Sequence, residues 1–275
     1  MNTKRNTLNK SLMTLAIITG MAGMSGSALA DSNQSWVGQQ GTGNEATIDQ
    51  TYASGNQATI NQGTTKDGYW WYDSGNSSSS ATIEQANSNN NTATINQGIG
   101  SGDWWYGYAY GSSQGDHASI YQGYGSQLNS ATINQGVNST SSYNSATISQ
   151  YETSGQTATF NQTGSYNNGY ISQSWGNGGT ATVSQNGYDN NGNINQYSTD
   201  GETTATISQN GLSNYAGIFQ EGGGNYANIE QNGSGNSANI GEYASQNHDE
   251  IHQNSNNSTA QIVQYTSGNS VVINQ

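Results

Sequence analysis

The phrase NSATINQG, residues 129–136, is one that the chain keeps rewriting. NSATISQ stands at 144–150, TATFNQ at 157–162, TATVSQ at 180–185, TATISQ at 204–209 and SANIGE at 237–242. Written as N-x-A-x-I-x-Q, the phrase occurs nineteen times, with its Ile position at residues 37, 48, 60, 83, 95, 120, 133, 148, 160, 171, 183, 194, 207, 218, 229, 240, 251, 262 and 273. That position departs from Ile only at Val37, Phe160 and Val183. The Gln position is kept in eighteen copies and becomes Glu242 in the other. The Ala position departs at Ser35, Gly169, Gly192, Asp249 and Val271. Most steps are 11 to 13 residues, and from Ile207 onward every step is 11. Catalysis needs a few unlike residues brought together once, so a phrase repeated along the chain makes repetition itself the function.

The spacing within the phrase predicts strands. In a strand alternate side chains share a face, which puts Asn, Ala, Ile and Gln on one side and the residues between them on the other. Clusters such as QNGSGN, residues 231–236, supply turns that need positive φ. One unit cannot bury its apolar face alone. Two joined by a turn make a rung of about 22 residues, and rungs stacked at about 4.8 Å set each Ile over another Ile. Nineteen strands predict about nine and a half rungs, roughly 45 Å tall. The fold class expected is all-β: a two-sheet β-solenoid of strand-turn-strand rungs, cross-β in character and amyloid-competent. A helix is excluded by the period and by the alternation of β-branched Thr and Ile with Asn and Gly.

Composition agrees. Apolar residues are 30% and charged residues 8%, against about 45–50% and about 25% in ordinary domains. A round core cannot be filled from that list. Disordered chains are usually rich in Pro and charge, yet this chain has no Pro where roughly 13 would be average. Proline is barred from interior strands because it removes a ladder donor. Asn, Gln, Ser, Thr, Gly and Tyr suit stacked polar ladders. There is no Cys.

The start of the chain reads differently. Lys4, Arg5 and Lys10 precede the apolar run Leu12 to Met24, and Ala28-Leu29-Ala30 is a small-residue cleavage site. Residues 1–30 are expected to be a secretory signal peptide, and residues 31–275 the solenoid. Beyond Ala30 one basic residue, Lys66, faces seventeen acidic ones, a formal charge of −16. Nucleic acid and anionic membrane are poor partners for such a surface.

The extended pattern Q-x-G-x-x-N-x-A-x-I-x-Q, as in QQGTGNEATIDQ (39–50) and QEGGGNYANIEQ (220–231), resembles the curlin repeat. Curlins are subunits of curli, an extracellular functional amyloid of Gram-negative biofilms. The resemblance covers essentially all of residues 33–275. It implies a chain secreted through the periplasm with an escort, passed through an outer-membrane pore, and polymerised at the cell surface with itself, related curlins and a nucleator. The fibres would serve adhesion, cell aggregation and matrix building. Applied to this sequence, the structural ladder includes Asn44, Ala46, Ile48 and Gln50; Asn129, Ala131, Ile133 and Gln135; Asn225, Ala227, Ile229 and Gln231; and Asn269, Ile273 and Gln275. The pore-targeting Gly-rich segment of the family is not evident in residues 31–43. A nucleator role is the alternative within the family.

Two steps are long, Ile60 to Ile83 and Ile95 to Ile120. They are either degenerate strands or, the preferred reading, insertions near 63–78 and 98–115 that leave the same edge in successive rungs. Their aromatics Trp70, Trp71, Tyr72, Trp104, Trp105 and Tyr106 form a candidate patch for polysaccharide or an abiotic surface. His248, Glu250 and His252 alternate on one outward face, a pH-sensitive patch or weak metal site. Asp249 points inward where Ala belongs, a candidate gatekeeper against premature pairing. There is no HExxH or phosphate loop, and no carboxylate pair set as acid and base. Neither enzyme activity nor a cofactor is expected. A rival outside the family is a soluble ice-binding solenoid, whose outward columns would begin with Thr47, Thr59, Thr82 and Thr94. They come one per strand, whereas ice-binding sheets resemble paired Thr files.

Overall fold

A computed structural model describes residues 14–16, 33–39, 43–63, 77–99, 101–103, 108–110, 112–137, 140–197 and 201–275. Among these the chain is all-β and no helix occurs. The repeated strands fall alternately into two parallel sheets. The first sheet holds Gln34–Gln39, Gln57–Gln62, Thr92–Gln97, Ser130–Gln135, Thr157–Ser165, Thr180–Tyr188, Thr204–Leu212, Tyr226–Ser234, His248–Gln253 and Ser270–Asn274. The second holds Glu45–Asp49, Ser80–Ala86, His117–Gly123, Ser145–Tyr151, Asn168–Ser174, Asn191–Tyr197, Tyr215–Glu221, Ser237–Glu242 and Thr259–Gln264. The chain therefore winds as a β-solenoid of about nine turns, each strand lying on the one a full turn earlier.

Register follows the phrase. Ala131, Ile133 and Gln135 lie on Ala93, Ile95 and Gln97, and under Ala158, Phe160 and Gln162. The second sheet does the same: Ile120, Ile148, Ile171, Ile194 and Ile218 form one file. A slip by one residue would turn every Ile outward, so the pattern fixes the pairing. The core is two such files of Ile with their Ala neighbours, almost all fully buried. Each buried Ile contributes about 1.5–3 kcal/mol relative to exposure.

Two of the departures compensate each other. Phe160 stands in an Ile position and Gly169 in the Ala position of the next strand. A Cβ on Gly169 would collide with the Phe160 ring and with the carbonyl of Gly192. The large ring takes the space that the missing methyl leaves.

The corner from the first sheet to the second is built on glycine. Gly164, Gly187, Gly211 and Gly233 stack in register, with φ of 95°, 130°, 127° and 127°. A Cβ on any of the first three would run into the carbonyl oxygen of the next glycine. Strands such as Thr180–Tyr188 pass through this corner and continue, so they run nine residues where the phrase predicts fewer.

Both long steps cross from the first sheet to the second, in successive turns. Within the second, Ser101–Asp103 and Tyr108–Tyr110 pair as a small antiparallel hairpin. Ser112–Gln114 is not loop: it joins the corner ladder, pairing with Thr140–Ser142, which pairs in turn with Gly164 and Ser165. Trp70, Trp71, Tyr72, Trp104, Trp105 and Tyr106 lie outside the described residues, as does most of the 1–30 segment.

Candidate functional site

The surface that a stacked rung offers to its neighbour is made of inward Gln and Asn columns around the Ile files. In the first sheet ten glutamines, from Gln39 through Gln62, Gln97, Gln135, Gln162, Gln185, Gln209, Gln231 and Gln253 to Gln275, form one unbroken chain of amide hydrogen bonds. Each Nε2 donates to the Oε1 one turn later, at 2.6–2.9 Å. The second amide hydrogen crosses the interior to a backbone carbonyl of the other sheet, as from Gln209 to Asn191 and from Gln231 to Tyr215, both at 2.9 Å. A Gln thus ties its rung both to the next rung and to the facing sheet. An amide can do this because it carries donors and acceptor together.

The Asn columns work differently. Asn56 Oδ1 accepts from the backbone N–H of Asn91 at 2.8 Å, and Asn91 Oδ1 from that of Asn129 at 2.9 Å. Asn144 with Asn167, and Asn247 with Asn269, repeat the contact. The side-chain amide then caps turn carbonyls, as Asn129 does at Thr153. The Asn columns are therefore tied mostly side chain to backbone. The column lapses at Gln156, whose longer buried amide finds no partner for either atom.

The structure places the predicted ladder residues along these columns. Asn129, Ala131, Ile133 and Gln135, and Asn225, Ala227, Ile229 and Gln231, are buried. Asn44, Ala46, Ile48 and Gln50 are half-buried in the first rung of the second sheet. At the other edge Asn269 and Ile273 are half-buried and Gln275 is exposed. There the strand Ser270–Asn274 pairs on one side with His248–Gln253 and leaves Val271 and Val272 exposed.

In the second sheet the Gln column runs from Gln50 through Gln85, Gln122, Gln150, Gln173 and Gln196 to Gln220 and then meets Glu242. Glu242 Oε2 accepts from Gln220 at 2.8 Å. Glu242 hands no hydrogen on to Gln264, so the chain of amides stops there. Gln264, the next in the column, turns its amide to Asp249 instead. Asp249 is fully buried in the Ala column of the first sheet, between Ala227 and Val271. One oxygen of each acid, Glu242 Oε1 and Asp249 Oδ2, is buried and lacks a donor. Burial raises both carboxyls, Glu242 to about 8, and each acts on the other across the interior. Two acids in such a place share a proton and do not both ionise.

Asp116 is the contrasting buried acid. Its oxygens accept from Ser113, Ser141 and the backbone N–H of Asn144. Burial still raises it, but its hydrogen bonds oppose the shift.

Outside, His248 and His252 both contact Glu250, at 3.1 and 3.2 Å, and His252 also meets Glu230 at 3.3 Å. The His252 and His248 contacts hold the Glu250 carboxyl below its usual range. Among the described residues no group of three or more such side chains is arranged to hold a metal ion. The cluster is a hydrogen-bonded His–Glu network on the outer face.

Sequence reasoning missed the aromatic files on the corners. Tyr124, Tyr151, Trp175 and Tyr197 follow one another at ring distances of 5.0–5.8 Å on one corner, as do Tyr243 and Tyr265 at 5.1 Å. Tyr143, Tyr166 and Tyr188 line the opposite corner. The signal was present: Tyr151, Tyr197, Tyr243 and Tyr265 each directly follow a Gln-column residue, and Tyr143 and Tyr166 each directly precede an Asn-column residue.

No curated protein matches the chain. The family model of the curlin-associated repeat matches residues 202–233 and 213–243. The strands in that span pair in register with those on either side. Residues 202–243 carry curlin-associated repeats, stacked within the β-solenoid.

Proposed function

We propose that the chain is a structural subunit of extracellular curli-like amyloid fibres, secreted and assembled by stacking edge strands of one copy on another. The fibres would hold cells to surfaces and to one another in a biofilm matrix. The observation that supports this is the sameness of the rungs. Ile lies on Ile or another apolar residue, and Gln on Gln except at Glu242, through both sheets, so a rung from a second copy offers an edge nearly the same contacts as the next rung of its own chain. The unpaired side of Ser270–Asn274, with its exposed valines, is such an edge. Family resemblance adds the partners: an outer-membrane pore, a periplasmic escort and related curlins or a nucleator.

The test is incubation of purified residues 31–275 in neutral buffer. Fibres with reflections near about 4.8 and about 10 Å, whose lag is abolished by sheared fragments of themselves, are expected. A chain that stays monomeric when offered those fragments would overturn the reading.

A further inference from the structure

Beyond residue 30 the chain has no sulfur. It has no Cys, and its four methionines are Met1, Met13, Met21 and Met24. Lys66 is the one lysine in that part. Disulfides are therefore closed to it, and amine cross-links nearly so. What an oxidant meets is the aromatic side chains, and several of these stand in files on the outer corners.

We infer that the corner tyrosines are sites of oxidative cross-linking, in which a peroxide-driven one-electron oxidant joins tyrosines of successive rungs as dityrosine. Each of two phenols loses one electron and one proton. The two phenoxyl radicals form a carbon–carbon bond between ring positions ortho to oxygen, and the ring hydrogens at that bond shift to the oxygens. One hydrogen peroxide takes the two electrons and two protons and becomes two waters. No other co-reactant is needed.

Two pairs carry the geometry. Tyr243 and Tyr265 stack at 5.1 Å with 14° between planes, and Tyr143 and Tyr166 at 5.4 Å with 22°. In each pair the phenols occupy equivalent places one turn apart, with their rings nearly parallel. They are open to an oxidant: Tyr143 is 51% and Tyr265 75% exposed. The backbone holds Tyr143 and Tyr166 at φ of 55° and 59°, a region that bulky side chains rarely enter. The stack therefore presents these rings whatever their own preference. Tyr243 has Phe219 on its other side, so Tyr265 is its one phenolic neighbour in the file. Trp175 stands between Tyr151 and Tyr197 and keeps that pair apart. Holding reactants side by side replaces a collision with an internal step, which raises coupling of neighbours above random pairing.

The inference needs the stacked rungs and not the fibre. A mixture of ¹⁴N- and ¹⁵N-labelled full chain, treated with hydrogen peroxide and a haem peroxidase, is digested and its cross-linked peptides are weighed. Tyr243–Tyr265 and Tyr143–Tyr166 are expected to dominate, within one isotope, at about tenfold or more over the Tyr151–Tyr197 product. Tyr265→Phe should remove the first product and leave the second. The absence of dityrosine, or pairing that ignores file neighbours, would overturn the inference. Same-isotope coupling in a sample that never forms fibres would uphold it while sinking the proposed function.

Discussion

The Gln column of the first sheet and that of the second start alike and end differently. One passes hydrogen bonds through ten amides without a break. The other passes them from Gln50 to Gln220 and halts at Glu242. Side-chain size barely changes there, and the backbone register is kept. What changes is one group that accepts from Gln220 and passes nothing on to Gln264. The difference teaches that these columns are not polar padding. Each member must both take and give a hydrogen bond, and a like-sized residue that does one of the two breaks the column and loosens the tie to the facing sheet.

Copying the fault into the intact column should have the largest effect. Gln209→Glu removes two donated bonds and buries a carboxyl that keeps Gln185 as its one donor, so a loss of about 3–5 kcal/mol is expected in denaturant titration. Repairing the faulty column comes next. Glu242→Gln should stabilise the chain by about 2 kcal/mol at pH 8, from two recovered hydrogen bonds. The repair should also change the pH profile. Folded Glu242 holds its proton up to about 8, whereas an unfolded glutamate releases it near 4.5. Between those values the folded state binds more protons, so native stability falls as pH rises and levels off above about 8. Asp249, also raised, adds to the fall in the same sense. Denaturation midpoints from pH 5 to 8 should therefore decline in the native chain and decline less steeply in Glu242→Gln, where raised Asp249 and Asp116 remain. Asp249→Ala restores the repeat residue, and its gain should not add to that of Glu242→Gln, the coupling being about 1 kcal/mol in a double-mutant cycle. The smallest effect belongs outside. Glu250→Gln breaks an exposed network and should cost about 0.5 kcal/mol or less at pH 7. Because Glu250 is held below its usual range, its contribution is lost only as pH falls below 4.5.

The strands, their inward faces and their alternation between sheets are legible because a period of two within a period near eleven admits little else. What the pattern does not convey is which departures meet. Glu242 and Asp249 are seven residues apart in sequence and sit in different sheets, so each reads alone as a local exception. Their encounter depends on how the two sheets face each other, which the phrase does not encode. Phe160 and Gly169 likewise look unrelated until the ring is seen in the glycine's space. The glycine corner reads as ordinary turns in the sequence, although the carbonyl stacked against each glycine leaves no room for a side chain. The corner tyrosines escape notice because the eye goes to clustered aromatics, while files are written as single residues at a fixed offset.

The direction of the amide columns has one more consequence. Each Gln of the unbroken column gives its hydrogen toward the later turn, while the Asn carbonyls receive from it. A cut across the solenoid through these columns therefore exposes two unlike faces, related as plug and socket. If copies stack as proposed, all would run the same way, since a head-on meeting would oppose like with like. The proposed filament would then be an arrow whose two tips grow unalike.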